Sequence, residues 1–235
     1  AALDLSAAER ALLPAEGKLV ALADPDGPPL SYRGDDGRMQ GLLVDQLTAA
    51  AGQLGLQLEV RASQTWADAF ARFEAGEAPL IFPLTPTAER LTRYAFSEPL
   101  ARFEAVVYAR RDQPAVKDFE ALKTLRFVQI RGSAETTRIR DRYPALRIIE
   151  VDSGLDALKA VSSGQADAHV GNAAVLAWLI ARHSLGNLHP VAADRALPRD
   201  YRLGAPRAQQ PLLALLDRGW KAVPETEKNA IYRRW

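Results

Sequence analysis

Residues 83–100, PLTPTAERLTRYAFSEPL, decide how this sequence is read. They follow Leu80-Ile81-Phe82, an apolar run short enough to be a buried strand. Between Thr85 and Arg90 the chain then sets out two hydroxyls, Thr85 and Thr87, and one guanidinium. Thr87 fits the N-cap of a helix, where its hydroxyl would satisfy an orphan N–H. Arg90 fits either a solvated or capping salt bridge or an anion site, because its planar fork matches a carboxylate.

The bulk composition narrows the classes. With 235 residues, 48% hydrophobic and 25% charged, the chain is an ordinary globular protein of one large domain or two small ones. Thirty basic and twenty-nine acidic side chains leave a net charge of +1, which supplies no global field for nucleic acid. No nucleic-acid partner is expected. The absence of cysteine excludes disulfides, thiolate metal sites and thiol nucleophiles. No apolar run approaches the roughly 18 residues of a membrane span, so membrane attachment would come only through segments outside this chain. The start, AALDLSAAERALL, lacks the basic and long apolar regions of a signal peptide, so an exported form would be represented here by a processed or excised piece. His169, His183 and His189 have no metal-ligand spacing, and each reads as an isolated core or surface histidine. G-x-S-x-G, H-E-x-x-H and P-loop motifs are missing, so neither catalysis nor a cofactor or metal is expected.

Working outward, strands and helices alternate, which predicts an α/β fold. Residues 18–23 read as a strand, 24–37 as a turn-rich loop with Pro28-Pro29 and Asp36-Gly37 as breakers, and Val44, Leu47, Ala51 and Leu54 as a helix closed by Gly55. Residues 56–60 alternate as a strand. Thr65 and Asp68 resemble a capping pair before Trp66, Ala69, Phe70 and Phe73 at helical spacing. Residues 103–108 form another strand, ending in the breaker cluster 110–114. Beyond it come a short helix at 118–123, strands at 126–130, 148–151 and 168–170, and helices after Ser133, after Ser153 and over 175–181. The polar stretch 192–200 suggests a second crossing. A strand at 201–205, a helix carrying Leu212, Leu215 and Leu216, and a last helix opened by Pro224 complete the chain.

PLTPTAERLTRYAFSEPL resembles the T-x-T-x-E-R…F-S-x-P signature of bacterial solute-binding protein family 3, the periplasmic amino-acid-binding fold. ADPDGPPLSY (23–32), GLLVDQL (41–47), FVQIRGSAE (127–135) and VDSGLDALKAVSSGQADAHVGN (151–172) resemble further landmarks of that family, in the same order. LDLSAAERALL and the closing segments through ETEKNAIYRRW resemble the Venus-flytrap sensor domains of hybrid histidine kinases. The resemblance implies a type II two-lobed fold with an interlobe cleft and two crossing strands. Lobe 1 is expected over 1–108, with a leader at 1–16, lobe 2 over 109–194, and a return to lobe 1 with C-terminal helices over 195–235.

By the same resemblance, Arg90 would clamp a ligand carboxylate, aided by Thr85 and by Ser133 at a helix start, where free N–H groups suit an anion. Arg131 is a candidate second cation or a solvent-facing residue. Asn172 stands where amino-acid-binding members carry an aspartate for the ligand ammonium, and it supplies no charge. Asp24 is a candidate amine acceptor or a turn residue. Tyr32 and Trp66 are candidate aromatic walls, with Trp66 read more readily as core. The implied ligand is a small carboxylate or amino-acid-like molecule. The implied role is an extracytoplasmic, periplasmic sensor tethered to the inner membrane, signalling through a histidine kinase or related receptor, with a dimer possible in the full-length protein. The alternatives are a soluble binding protein of an amino-acid transporter, a transcription-regulator effector domain and a dehydratase-like enzyme.

Overall fold

The computed structural model describes residues 3–114 and 119–235, with backbone alone at 119–120 and 194–198. The first half of the chain comprises α1 (Ala7–Ala11), β1 (Lys18–Ala23), β2 (Asp26–Gly27), β3 (Ser31–Arg33), β4 (Met39–Gln40), α2 (Leu42–Gln53), β5 (Gln57–Arg61) and α3 (Trp66–Glu74). It continues through β6 (Leu80–Leu84), α4 (Ala88–Arg93), β7 (Tyr94–Phe96) and the long β8 (Ala101–Arg110). After a 3-10 turn at Phe119–Thr124 come β9 (Phe127–Ile130), α5 (Ala134–Arg142), β10 (Ile148–Val151), α6 (Gly154–Ser162), β11 (Ala168–Asn172) and α7 (Ala173–Arg182). The chain then returns along β12 (Leu188–Pro206) and closes with α8 (Gln210–Ala222) and α9 (Glu225–Arg234).

One continuous sheet path runs β10-β9-β11-β8-β12-β6-β1-β5, with β7 paired to β12 beside it. Parallel β5, β1 and β6 build lobe 1, and parallel β10, β9 and β11 build lobe 2. The antiparallel pair β8–β12 passes through both, from Leu188↔Arg110 to Tyr201↔Ala101, with a break in register between Asp194 and Arg199. Period-two alternation explains why helices cover both sheet faces. In β1, Leu19, Ala21 and Ala23 pack in the core with Leu43 and Leu47 of α2 and Leu212 and Leu216 of α8, while Leu22 packs with Trp66 and Phe73 of α3.

Three expectations change. The 24–37 loop is partly ordered into a three-stranded antiparallel sheet, β2-β3-β4, because its breakers form turns between very short strands. The strand at 103–108 is the middle of a longer one. The crossing at 192–200 and the strand at 201–205 are one strand: polar residues are tolerated there because β12 pairs with β8 through the connection. The expected helix at 118–123 begins outside the described residues, and its remainder is the 3-10 turn.

The helix layer of lobe 1 depends on one close approach. A Cβ at Gly219 of α8 would stand 2.5 Å from the Ala50 carbonyl oxygen of α2, which is backbone and cannot swing away. In an exposed helix interior, alanine in place of glycine stabilises by about 1 kcal/mol. Here the sign should invert: Gly219→Ala is expected to lower the midpoint of thermal or urea unfolding. A raised midpoint would show that α2 and α8 do not pack this tightly.

Candidate ligand-binding cleft

A cavity of about 110 Å³ lies between the lobes. Asp24, Asp26, Trp66, Thr85 and Arg90 line it from lobe 1, and Ser133, Ser153, His169 and Asn172 from lobe 2. Phe103 and Tyr201, packed together on the two crossing strands with ring centroids 4.1 Å apart, form the side where the lobes join.

The opening motif builds the lobe-1 wall. β6 ends at Leu84, and Thr87 caps α4 by accepting the Arg90 backbone N–H at 3.1 Å. That short turn brings the Arg90 side chain back over the strand end. Its Nη1 donates to the Thr85 carbonyl at 3.0 Å, and its Nη2 reaches across the cleft to the Gly132 carbonyl at 3.1 Å. Trp66 Nε1 donates to that same carbonyl at 3.2 Å. Gly132 has φ +75°, a left-handed conformation that glycine adopts at no steric cost, in the turn that aims its carbonyl at lobe 1. The Arg90 guanidinium also lies over the Phe70 ring, 5.2 Å from its centroid. Desolvation lowers its pKa to about 10, which leaves it charged at neutral pH. Among the described residues it forms no ion pair.

Lobe 2 presents three helix starts to the cavity. Ser133 accepts from the Thr136 N–H at 3.3 Å, Ser153 from the Asp156 N–H at 3.1 Å, and Asn172 from the N–H groups of Ala174 and Val175 at 2.8 and 3.2 Å. Their positive dipole ends add to Arg90 in favouring an anion. Two nearby carboxylates are neutralised: Glu135 is held by Arg199 at 2.7 Å and Arg138 at 3.0 Å, and Asp152 by Arg131. Asp24 and Asp26 differ. Burial raises Asp24 to about 7, despite its bond from the Asp26 N–H, and burial with the Asp156 charge raises Asp26 to about 6. The cleft therefore sets one uncompensated cation against two acids poised near neutrality. Among the described residues no three His, Cys, Asp or Glu side chains cluster as metal ligands.

Arg90, Thr85, Ser133, Asn172 and Asp24 thus converge as candidates. Tyr32 and Arg131 do not. In β3 the alternation buries Ser31 and turns Tyr32 outward, where its ring meets Trp178 at 5.9 Å and Trp235 at 6.0 Å in a separate groove. Arg131 is exposed, paired with Asp152 and, at 3.8 Å, with Glu150. Trp66 is both core and wall. Sequence reasoning missed Asp26, Phe103, His169 and Tyr201. The pairing of β8 with β12 is what would have exposed Phe103 and Tyr201, and it has no local signature.

Fold and cleft together define a two-lobed solute-binding protein. The chain belongs to the bacterial extracellular solute-binding proteins, family 3, which it matches over residues 19–235. It is 26% identical over 216 residues to the virulence sensor protein BvgS of Bordetella bronchiseptica, an alignment covering 92% of this chain and 17% of that one. A probable amino-acid ABC transporter-binding protein of Haemophilus influenzae is 27% identical over 169 residues, 71% of this chain and 64% of that one. A histidine kinase sensor domain with similarity to periplasmic binding proteins superposes with a TM-score of 0.86 at 23% identity, covering 93% and 95%. The chain spans 17% of the length of BvgS. Family and fold are those of binding and sensor proteins, and among the described residues no helix is long and apolar enough to cross a membrane.

The acids of the cleft give a signed prediction. Folded Asp24 keeps its proton to about pH 7, whereas the unfolded side chain ionises near its ordinary 3.8. Its contribution to stability is therefore complete below about pH 4 and disappears as pH rises towards 7. Asp24→Asn, which can still accept the Asp26 N–H, should raise the melting temperature more at pH 8 than at pH 4. The gain should be several degrees, since about 1 kcal/mol moves a domain of this size by roughly 2–4 °C. An equal effect at both pH values would contradict the assignment.

Proposed function

We propose that this chain is an extracytoplasmic ligand-sensing domain that closes on a small carboxylate, amino-acid-like molecule. The observation that carries this reading is Arg90, a desolvated guanidinium that bridges both lobes through carbonyls while no carboxylate of the described residues pairs with it. Two of its five N–H donors are used, and a buried cation gains most from a carboxylate that also accepts hydrogen bonds. Thr85, Ser133 and the three helix starts support the same anionic group, and Asp24 with Asp26 offers acceptors for an amine.

The ligand would join lobes that meet at Gly132, so its differential affinity for closed and open forms sets the signal. The likeness to BvgS and to a kinase sensor domain supports a receptor in the periplasm, coupled to a membrane-bound histidine kinase or a related output. The Haemophilus relative supports the second reading, a binding subunit of an amino-acid transporter. Both readings share the cleft chemistry.

The test is calorimetry and thermal shift with amino acids and simple carboxylates on the parent and on Arg90→Gln. A charge-assisted hydrogen bond contributes about 1.5–3 kcal/mol, so the variant should bind carboxylates roughly 10- to 100-fold more weakly. Equal affinity in the variant would overturn the clamp.

A further inference from the structure

Tyr32 stands in a second groove between the lobes, where its ring touches both Trp178 of lobe 2 and Trp235 at the end of α9. Asp26 and Ser153 line this groove as well as the ligand cavity, so one movement of the lobes alters both.

Each of the three rings is held by a different part of the molecule. Tyr32 lies on the middle strand of β2-β3-β4, opposite Asp26 on one neighbour and Gln40 on the other, which fixes its backbone to lobe 1. Trp178 lies on α7, a helix capped by Asn172 and anchored by the buried Val175, Leu176 and Leu179. Its indole therefore travels with lobe 2. Trp235 is tied to α2 of lobe 1: its Nε1 donates to Asp45 Oδ2 at 2.9 Å, and Arg234 Nη1 donates to the same oxygen at 2.7 Å.

The Tyr32 and Trp178 centroids are 5.9 Å apart with the planes tilted by 48°, and Tyr32 meets Trp235 at 6.0 Å and 89°, edge to face. Both separations lie in the range where aromatic pairs attract. The lobes are joined through β8 and β12, and none of the three rings is on either strand. Rotation of lobe 2 about that pair draws Trp178 away from Tyr32. Because Tyr32 cannot follow with its backbone, its ring resettles, and the surface it offers to Trp235 changes. The Asp45 bond keeps Trp235 in place to respond.

We propose that Trp178, Tyr32 and Trp235 form an aromatic relay that conveys the position of lobe 2 to the C-terminal turn of α9. Its use as a signal rests on the sensing role given under Proposed function, whereas the coupling itself needs no ligand.

The chain has four tryptophans, Trp66, Trp178, Trp220 and Trp235, so 5-fluorotryptophan gives four ¹⁹F lines, each assigned by a Trp→Phe variant. In the protein without added ligand, Trp178→Ala should shift the Trp235 line. It should also speed amide exchange over residues 230–235 roughly 2- to 10-fold, although the substitution is on the other lobe. Trp178→Phe, which keeps a ring, should reverse most of both effects. In a Tyr32→Leu background Trp178→Ala should change α9 no further, because the middle of the relay is already missing. Exchange over residues 68–74 of α3, which packs on the other face of the lobe-1 sheet, should stay at the parent rate in Trp178→Phe and Tyr32→Leu. A Trp235 line that ignores Trp178→Ala, additive effects of the two substitutions, or acceleration of α3 equal to that of α9 would overturn the relay and leave the Arg90 clamp standing. Carboxylate binding indifferent to Arg90 would instead overturn the clamp, and it would not alter the outcome of this ligand-free cycle.

Discussion

The carbonyl of Gly132 is held from across the cleft by two donors, Arg90 and Trp66, a contact that ties the two lobes together beyond the β8–β12 pair that joins them. It joins α4 and the start of α3 to the turn before α5. The neutral carbonyl satisfies geometry without neutralising charge. Arg90 is thus committed to both lobes and still electrically unmatched, which is the condition under which an anion adds most to closure. A second donor on Trp66 means that the contact does not depend on the cation alone.

Around this centre the cleft divides its labour by chemistry. The anion end combines Arg90 with three helix starts. The acid end holds Asp24 and Asp26, both raised by burial and so able to ionise when a cation arrives. On the lobe-2 wall, His169 and Asn172 are held by backbone partners, the Val128 carbonyl and the Ala174 N–H. Glu135 and Asp152 line the same space, yet their arginine partners remove them from the balance. Counting carboxylates alone would misjudge the field in the cleft; pairing decides it.

The sequence carries the alternation of elements and the Thr87 cap, because each of these is encoded within a few residues; that Thr85, Arg90, Ser133 and Asn172 should face one cleft is implied only by the family resemblance. What it does not carry is long-range. The continuity of β12 depends on its pairing with β8, nearly a hundred residues earlier in places such as Asp200↔Arg102. Phe103 and Tyr201 become cleft residues only through that pairing. Tyr32 was expected as a wall, but β3 turns it towards Trp178 and Trp235; three short strands replace the loop that would have let it swing inward. His169 reads as an ordinary core histidine, and by burial it is one.

Because the chain contains no cysteine, two introduced thiols can carry spin labels without competition. Labels at Gln57 and Asp141, exposed positions on β5 of lobe 1 and α5 of lobe 2, report the interlobe distance by pulsed electron resonance. Addition of a mixture of the proteinogenic amino acids is expected to narrow and shorten the distance distribution in the parent domain and to leave it unchanged in Arg90→Gln. The same response in both proteins, or none in the parent, would contradict an Arg90-centred closure on a carboxylate.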